Sequence, residues 1–142
     1  MKKIKLIALA IISGLTISCS DDGPSTSGEL IGKWYFKETR VEGETIPYDD
    51  HEDCGKDYIQ FNSNESGSGR SVDVFNCEEF DEIFSFIRSG NNITIILGGG
   101  GGDPSLTSRI TELSSTTLEV KSTYDYDGDG DEEQVIQVLT RT

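Results

Sequence analysis

Short runs in which apolar and polar residues alternate constrain the fold of this chain more than any other feature. From residue 33 onward, β-branched and aromatic residues recur at every second position, and turn-forming residues separate the runs. No apolar stripe with the 3.6-residue period of a helix persists along the chain. The pattern predicts an all-β domain of antiparallel strands in meander order, at 33–41, 57–62, 70–75, 82–88, 92–97, 106–112, 117–124 and 134–141.

Eight such strands with short connections can close into an up-and-down barrel, which removes the exposed edges at which open sheets aggregate. An eight-stranded barrel is just wide enough to be filled by side chains or to hold one small ligand. For the last strand, the pattern leaves open whether odd-numbered or even-numbered residues face inward. For the other strands we expect an inward-facing set of Trp34, Phe36, Ile59, Phe61, Val72, Val74, Phe84, Phe86, Ile93, Ile95, Leu97, Ile110, Leu118 and Val120.

The N-terminus has the architecture of a secretory signal peptide. Three lysines, Lys2, Lys3 and Lys5, precede an apolar run that begins at Leu6. Small and polar residues interrupt the run, which is shorter than the about 20 apolar residues that a membrane-spanning helix needs. We therefore expect residues 1–18 to direct export and then to be removed.

Cys19 ends a segment that is similar to a lipobox, in which a small residue precedes a cysteine that becomes diacylated. Thr16 departs from the leucine that is usual three positions before that cysteine. An ordinary exported protein with a free cysteine is the alternative. Two acyl chains hold a protein stably at a membrane, whereas one does so only marginally. Residues 19–28 contain no large apolar side chain and read as a flexible tether, which leaves 29–142 as the folded domain.

The residues after Cys19 bear on location. The segment 20–23 (SDDG) resembles the signal that sends lipoproteins of one Gram-negative phylum to the outside of the outer membrane. In enterobacteria, an acidic residue beside the lipidated cysteine instead retains a lipoprotein at the inner membrane. The Gly/Ser/Pro tether favours the outer membrane and its cell-surface side, with the periplasmic face as the alternative.

Acidic residues dominate the exported part of the chain. All 26 Asp and Glu lie after residue 19, and three of the 12 Lys and Arg belong to the signal. Nine basic residues against 26 acidic ones leave a formal charge of −17. Nucleic acid is therefore not an expected partner, because phosphate binding requires clustered Lys and Arg. Mutual repulsion favours a soluble monomer, and divalent cations are the alternative partners.

Cys54 and Cys77 form an even pair in a chain expected in an oxidising compartment, and the sequence predicts a disulfide between them. Closing that loop of about 24 residues stabilises a fold by roughly 3 kcal/mol in the chain-entropy model. Zinc coordination with the single histidine, His51, is the less favoured alternative.

The start of the first strand, Gly32-Lys33-Trp34, matches the GxW signature of lipocalins. Further along, the chain resembles the lipocalin-like domains of bacterial lipoproteins over residues 29–142. The segments that carry this resemblance occur in the expected order and are Cys54, 56–64 (KDYIQFNSN), Cys77, 90–92 (GNN) and 110–120 (ITELSSTTLEV).

The resemblance implies a calycin-type barrel in which Arg141, on the final strand, lies across Trp34 and closes one end. Such a cation–π contact contributes about 0.5 to 2 kcal/mol. The downstream TDY motif of lipocalins is missing, so ligand binding follows only by analogy of fold.

A small apolar or amphipathic ligand would occupy a cavity of at least about 300 Å³. The candidates to line that cavity are Phe36, Ile59, Phe61, Val72, Phe84, Phe86 and Ile95. The alternative is a filled barrel whose loops contact a protein or glycan, which requires an exposed apolar patch near the loop ends.

Acids on alternate residues near the C-terminus suggest calcium, which gathers six to eight oxygen ligands. An EF-hand is excluded, because Ile136 falls where position 12 requires Glu. A hairpin tip is the favoured interpretation, since Asp-Gly steps supply positive φ. The candidate ligands of a weak structural calcium ion are Asp125, Asp127, Asp129 and Asp131.

Catalysis has no support in the sequence. The domain has one histidine, no free cysteine and no serine-nucleophile motif. The usual pairs of nucleophile and base therefore cannot be identified in the sequence. We therefore expect a non-enzymatic protein without a further cofactor.

Overall fold

The alternating runs form nine antiparallel strands in a computed structural model that describes residues 25–49, 53–98 and 104–141. The predicted signal peptide, Cys19 and the first part of the predicted tether lie outside the described residues. The strands are β1 (Gly32–Val41), β2 (Glu44–Pro47), β3 (Tyr58–Phe61), β4 (Ser66–Phe75), β5 (Glu78–Ser89), β6 (Asn92–Leu97), β7 (Ser105–Leu113), β8 (Thr117–Tyr124) and β9 (Glu133–Thr140). Among these residues, no helix is long and apolar enough to cross a lipid bilayer.

Eight of these strands close into an up-and-down barrel, which confirms the predicted fold. Strands β3 to β9 pair in chain order, and β1 pairs with both β3 and β9. The β1–β9 pairing runs from Tyr35 opposite Thr140 to Val41 opposite Val135. This contact joins the first and last segments of the domain and completes the ring.

The ninth strand, β2, was not predicted from the sequence. The first half of β1 pairs with β3, and from Glu38 onward the same edge of β1 pairs with β2 instead. The change of partner coincides with a register shift between Phe36 and Glu38. All four residues of β2 are exposed, so this strand lacks the alternating burial on which the prediction depended.

The two ends of the barrel differ. At the closed end, Gly28 N donates to Leu113 O at 2.8 Å, so the segment before β1 lies across the β7–β8 corner. The open end carries the turns β1–β2, β4–β5 and β8–β9. Exposure increases toward that end along β6, from 2% at Ile93 to 39% at Leu97.

The core fills the half of the barrel nearest the closed end. Phe61 contacts Phe86 and Phe84 edge to face, with ring centroids 5.0 and 5.7 Å apart. Such pairs contribute about 0.5–1.5 kcal/mol beyond the area that they bury. Gly69 has a packing role here, because a Cβ would lie 2.3 Å from the Phe84 ring. The buried cluster comprises Leu30, Trp34, Phe61, Phe84, Phe86, Ile93, Ile110, Leu113, Leu118 and Leu139.

Val72 and Val74 are buried, but the prediction that they face the barrel interior is wrong. Val72 pairs with Tyr58, and Tyr58 faces outward because its neighbour Ile59 faces the interior. The segment before β3 covers this outer face, where Asp57 Oδ1 accepts a hydrogen bond from Val74 N at 2.7 Å. A covered outer face and a barrel interior produce the same alternation in sequence.

The predicted disulfide is present and fastens that covering segment. Cys54 and Cys77 are bonded, with their Cα atoms 5.6 Å apart. Cys77 lies in the β4–β5 turn, where it and Asn76 both have positive φ. The disulfide therefore joins the loop before β3 to the hairpin whose outer face the loop covers.

In the last strand the odd-numbered residues face inward. Gln137 and Leu139 line the interior. Val138 is buried on the outer face, where its cross-strand neighbours are Glu38 and Glu119. Arg40 bridges those two carboxylates, and the hydrogen bond that it donates to Glu38, ahead of the other causes, raises the pKa of the Arg40 guanidinium.

Candidate ligand-binding cavity

The barrel interior contains an apolar cavity of about 150 Å³ between the core and the open end. Four of the seven predicted cavity residues line it: Phe36, Ile59, Phe61 and Ile95. Five further apolar residues line the cavity without having been predicted to do so: Ile93, Leu106, Leu118, Val120 and Leu139. The complete apolar lining is Phe36, Ile59, Phe61, Ile93, Ile95, Leu106, Leu118, Val120 and Leu139.

The other three predicted cavity residues lie elsewhere. Phe84 and Phe86 belong to the packed core below the cavity and do not line it. Val72 lies on the outer face, as the β3–β4 register requires. Alternation distinguishes the two faces of a strand, but it does not show how deep a residue lies along the barrel axis.

The cavity is about half the predicted minimum of 300 Å³ because aromatic rings occupy the closed-end half of the barrel. A volume of about 150 Å³ is still sufficient for a benzene-sized group, and apolar cavities of this size in other proteins stay dry and bind such molecules. The cavity therefore fits an apolar moiety of six to eight heavy atoms.

One side of the cavity is polar. Ser108 on β7 and Ser122 on β8 share a hydrogen bond of 2.6 Å between their hydroxyl oxygens, and Gln137 and Tyr124 complete this side. None of these four residues was predicted to line the cavity, because only apolar residues were considered as lining. The alternation of each strand could have identified two of them. Ser108 lies two residues before Ile110, and Ser122 lies two residues after Val120, so each serine shares the inward face of its strand.

Tyr124 lies at the mouth of the cavity, next to a second tyrosine. Its ring centroid is 6.3 Å from that of Tyr126. Burial, and to a lesser degree Tyr126, raises the pKa of the Tyr124 phenol. The phenol therefore stays protonated at neutral pH and can donate a hydrogen bond to a ligand.

Phe36 forms the wall of the cavity where β1 leaves β3. Tyr48 stacks on its ring, with centroids 5.1 Å apart. The Tyr48 hydroxyl donates to Asp57 Oδ2 at 2.5 Å, and the other carboxylate oxygen of Asp57 holds Val74 N. The disulfide-linked loop thus supports one wall of the cavity from outside.

Trp34 and Arg141 close the opposite end, as the resemblance implied. The Arg141 guanidinium lies 4.2 Å from the centre of the Trp34 ring, and the indole nitrogen donates to Leu30 O at 2.8 Å. Trp34 is fully buried. Arg141 also donates to Glu29 O, so it connects the final residues to the segment before β1.

The acidic β8–β9 tip brings together a different set of carboxylates from the predicted one. Asp125, Asp127 and Glu133 present oxygens within 4.8 Å of one another, and neither Asp129 nor Asp131 joins them. Asp125 accepts hydrogen bonds from the backbone of the turn, including Gly128 N at 2.7 Å, and Glu133 accepts one from Tyr126 N. These contacts are those of a hairpin tip held by its own side chains.

The hairpin interpretation predicts that calcium has no effect on stability. We expect the same melting temperature in millimolar calcium and in chelator, because the turn carboxylates already accept backbone hydrogen bonds. Thermal unfolding followed by circular dichroism measures this. A calcium-dependent rise would show that the ion binds the folded state and would restore the calcium hypothesis.

A closed eight-stranded antiparallel barrel with an apolar cavity and a Trp–Arg closure defines the lipocalin-like class of fold. Residues 30–120 match the family model described as a lipocalin-like domain, and the chain belongs to that family. Among solved structures, it is similar to a lipocalin-like protein from Bacteroides uniformis, with 18% identity and a TM-score of 0.58, covering 81% of this chain and all of that one. No curated protein sequence matches the chain.

Proposed function

We propose that this chain is a lipid-anchored protein of the outer membrane whose barrel binds a small apolar or amphipathic ligand. The observation that carries the proposal is the cavity of about 150 Å³ with nine apolar side chains around it. A barrel of this size can instead be packed solid. The aromatic core stops short of the open end and leaves space for a ligand.

The lining indicates how a ligand would lie. An apolar group of benzene size would occupy the space between Ile93, Leu118 and Val120. Its polar end would lie along the polar side of the cavity, which extends from the hydroxyls of Ser108 and Ser122 to Tyr124 at the mouth. A small number of polar groups in a mainly apolar pocket is the usual basis of ligand orientation.

Filling the cavity should abolish binding. In Ile95→Trp, the larger side chain takes the space of the ligand, whereas Ile96→Trp makes the same change on the opposite face of β6. We expect benzyl alcohol to bind the unaltered protein with a Kd of about 1 mM, near −4 kcal/mol. Titration followed by NMR of the Ile, Leu and Val methyl groups measures it.

The comparison with the control variant Ile96→Trp shows whether the ligand binds in the cavity. Saturable shifts at Ile93 and Leu118 should persist in Ile96→Trp and disappear in Ile95→Trp. Absence of saturable shifts in the unaltered protein, or equal binding by both variants, would contradict a binding function for the cavity.

A second candidate is an accessory domain that contacts a protein or glycan at the open end. It is favoured by Phe75 and Phe80, which are 56% and 54% exposed on the β4–β5 hairpin. Surface crosslinking on intact cells would test it with the variant Phe75→Ser/Phe80→Ser. An adduct that this variant loses and that Ile95→Trp retains would support the accessory role.

The membrane anchor rests on the lipobox-like segment that ends at Cys19. We expect Cys19→Ala to move the protein from the membrane fraction to the soluble fraction, because two acyl chains supply stable attachment. Cell fractionation measures this. For the cell-surface location, protease added to intact cells should degrade the unaltered protein, and protection from the protease would place it on the periplasmic face.

A further inference from the structure

The open end of the barrel is strongly acidic. Three of the described segments at this end are acidic: 42–49 has three Asp and Glu, 73–82 has five and 125–133 has six. None of the three segments contains a Lys or Arg. The mouth of the cavity therefore lies within a concentrated negative field.

Two of the basic residues on the strands that reach this end point away from the cavity. Arg40 lies on the outer face and is paired with Glu38 and Glu119. Lys121 also faces outward, since its neighbours Val120 and Ser122 line the cavity. No Lys or Arg is among the residues that line the cavity.

The closed end lacks this excess of acids, because arginines accompany Glu29 and Glu65 there. Arg88 donates to the carbonyl oxygens of Gly90, Asn64 and Thr26 at 3.0–3.3 Å. Arg141 lies over Trp34 and donates to Glu29 O. The excess of acidic residues therefore lies at the open end, where Tyr124 lines the mouth of the cavity.

Aromatic rings at the mouth supply a second, independent preference. Tyr124 lines the cavity, and the ring of Tyr126, which is 41% exposed, lies 6.3 Å from it between centroids. The faces of aromatic rings attract cations, and organic ammonium groups are the ligands that most often use this contact. The carboxylates and the ring faces at the mouth therefore both favour a positively charged group of a ligand.

We propose that the ligand of this cavity is an organic cation, with its apolar group in the cavity and its ammonium group at the acidic mouth beside Tyr124 and Tyr126. This inference rests on the proposed function, because the site is the cavity and the acids determine only the charge that it accepts. Carboxylate and phosphate ligands of the same shape would be repelled by the same field.

Three probes that share a phenyl ring and carry a positive, zero or negative charge test the inference: benzylammonium, benzyl alcohol and benzoate, at pH 7. We expect benzylammonium to bind about tenfold more tightly than benzoate at about 20 mM salt, with benzyl alcohol between them. At about 0.5 M salt the ratio should fall to about twofold, because exposed charges are screened. NMR titration of the cavity methyl groups measures all three affinities.

A matched pair of variants locates the charges that act. Glu82→Gln/Glu132→Gln removes two exposed acids at the mouth, where Glu82 shares the face of Phe84. Glu29→Gln/Glu65→Gln makes the same change of net charge at the closed end. We expect the first variant to lower the cation-to-anion ratio about threefold and the second to leave it within experimental error.

The outcomes separate this inference from the proposed function. If benzyl alcohol binds while benzylammonium and benzoate bind equally well, the charge preference is wrong and the cavity function stands. An equal effect of both variants would likewise contradict a preference that is set at the mouth. If none of the three probes binds, the cavity function fails, and the charge preference fails with it.

Discussion

Replacing Trp34 by alanine should destabilise the domain by about 4 kcal/mol, within the range measured for buried Trp and Phe truncations. Three interactions would be lost together. Trp34 is fully buried in the core cluster, its indole nitrogen donates to Leu30 O, and its ring lies under Arg141. Urea unfolding followed by circular dichroism measures the effect, since the variant lacks the only tryptophan.

Phe75→Ala is the matched control for this change, because it removes another aromatic ring from a side chain that is 56% exposed. We expect it to cost less than about 0.5 kcal/mol. A double-mutant cycle with Arg141→Ala should give a coupling of about 1 kcal/mol between Arg141 and Trp34. If Trp34→Ala costs no more than the control, or the coupling is zero, this pair does not close the barrel.

Removing the disulfide should cost about 3 kcal/mol. The variant Cys54→Ser/Cys77→Ser opens a loop of about 24 residues, and the unfolded chain regains the corresponding entropy. The native state also loses the tie that holds the covering loop on the outer face of β3 and β4. Urea unfolding of the variant and of the unaltered protein under reducing conditions should give the same loss.

The loop adds a second readout to the disulfide variant. Because Asp57 holds both Tyr48 and Val74, amide exchange at Val74 should accelerate in the variant. Exchange at Leu139, in the core, should follow only the change in global stability. Unchanged stability together with unchanged exchange at Val74 would show that the disulfide does not fasten the loop.

The closed barrel was predictable because several independent signals agreed. Eight runs with period two predicted the strands, and the GxW motif with Arg141 predicted which ends meet. The disulfide between Cys54 and Cys77 was predictable because the chain was expected to be exported and these two cysteines form an even pair. Each of these inferences depends on local pattern or covalent chemistry, which a single sequence records directly.

The outer-face burial of Val72 was not predictable from alternation, because a strand that is covered on its outside repeats the same pattern. β2 was missed for the opposite reason, since none of its residues is buried. The loop that covers Val72 and Val74 is fixed by Asp57 and the disulfide. These contacts join distant segments, and no local pattern encodes them.

The size of the cavity was not predictable either, because it depends on how far along the barrel axis each inward-facing side chain lies. Phe84 and Phe86 point inward, as predicted, but they fill the closed end and do not line a pocket. The polar side of the cavity, with Ser108 and Gln137, was not predicted because only apolar residues were considered as lining. The charge of the open end was predictable only in part: the acidic run near the C-terminus was evident in the sequence, and the fold brings two further acidic segments, 42–49 and 73–82, to the same end.

The central claim is that the barrel holds an accessible apolar cavity, and a crystal of the protein pressurised with xenon tests it most directly. Xenon enters dry apolar cavities of about 150 Å³. We expect one strong xenon peak between Ile93, Leu118 and Val120, absent from crystals of Ile95→Trp. An interior without a xenon peak, filled by side chains in the unaltered protein, would contradict it.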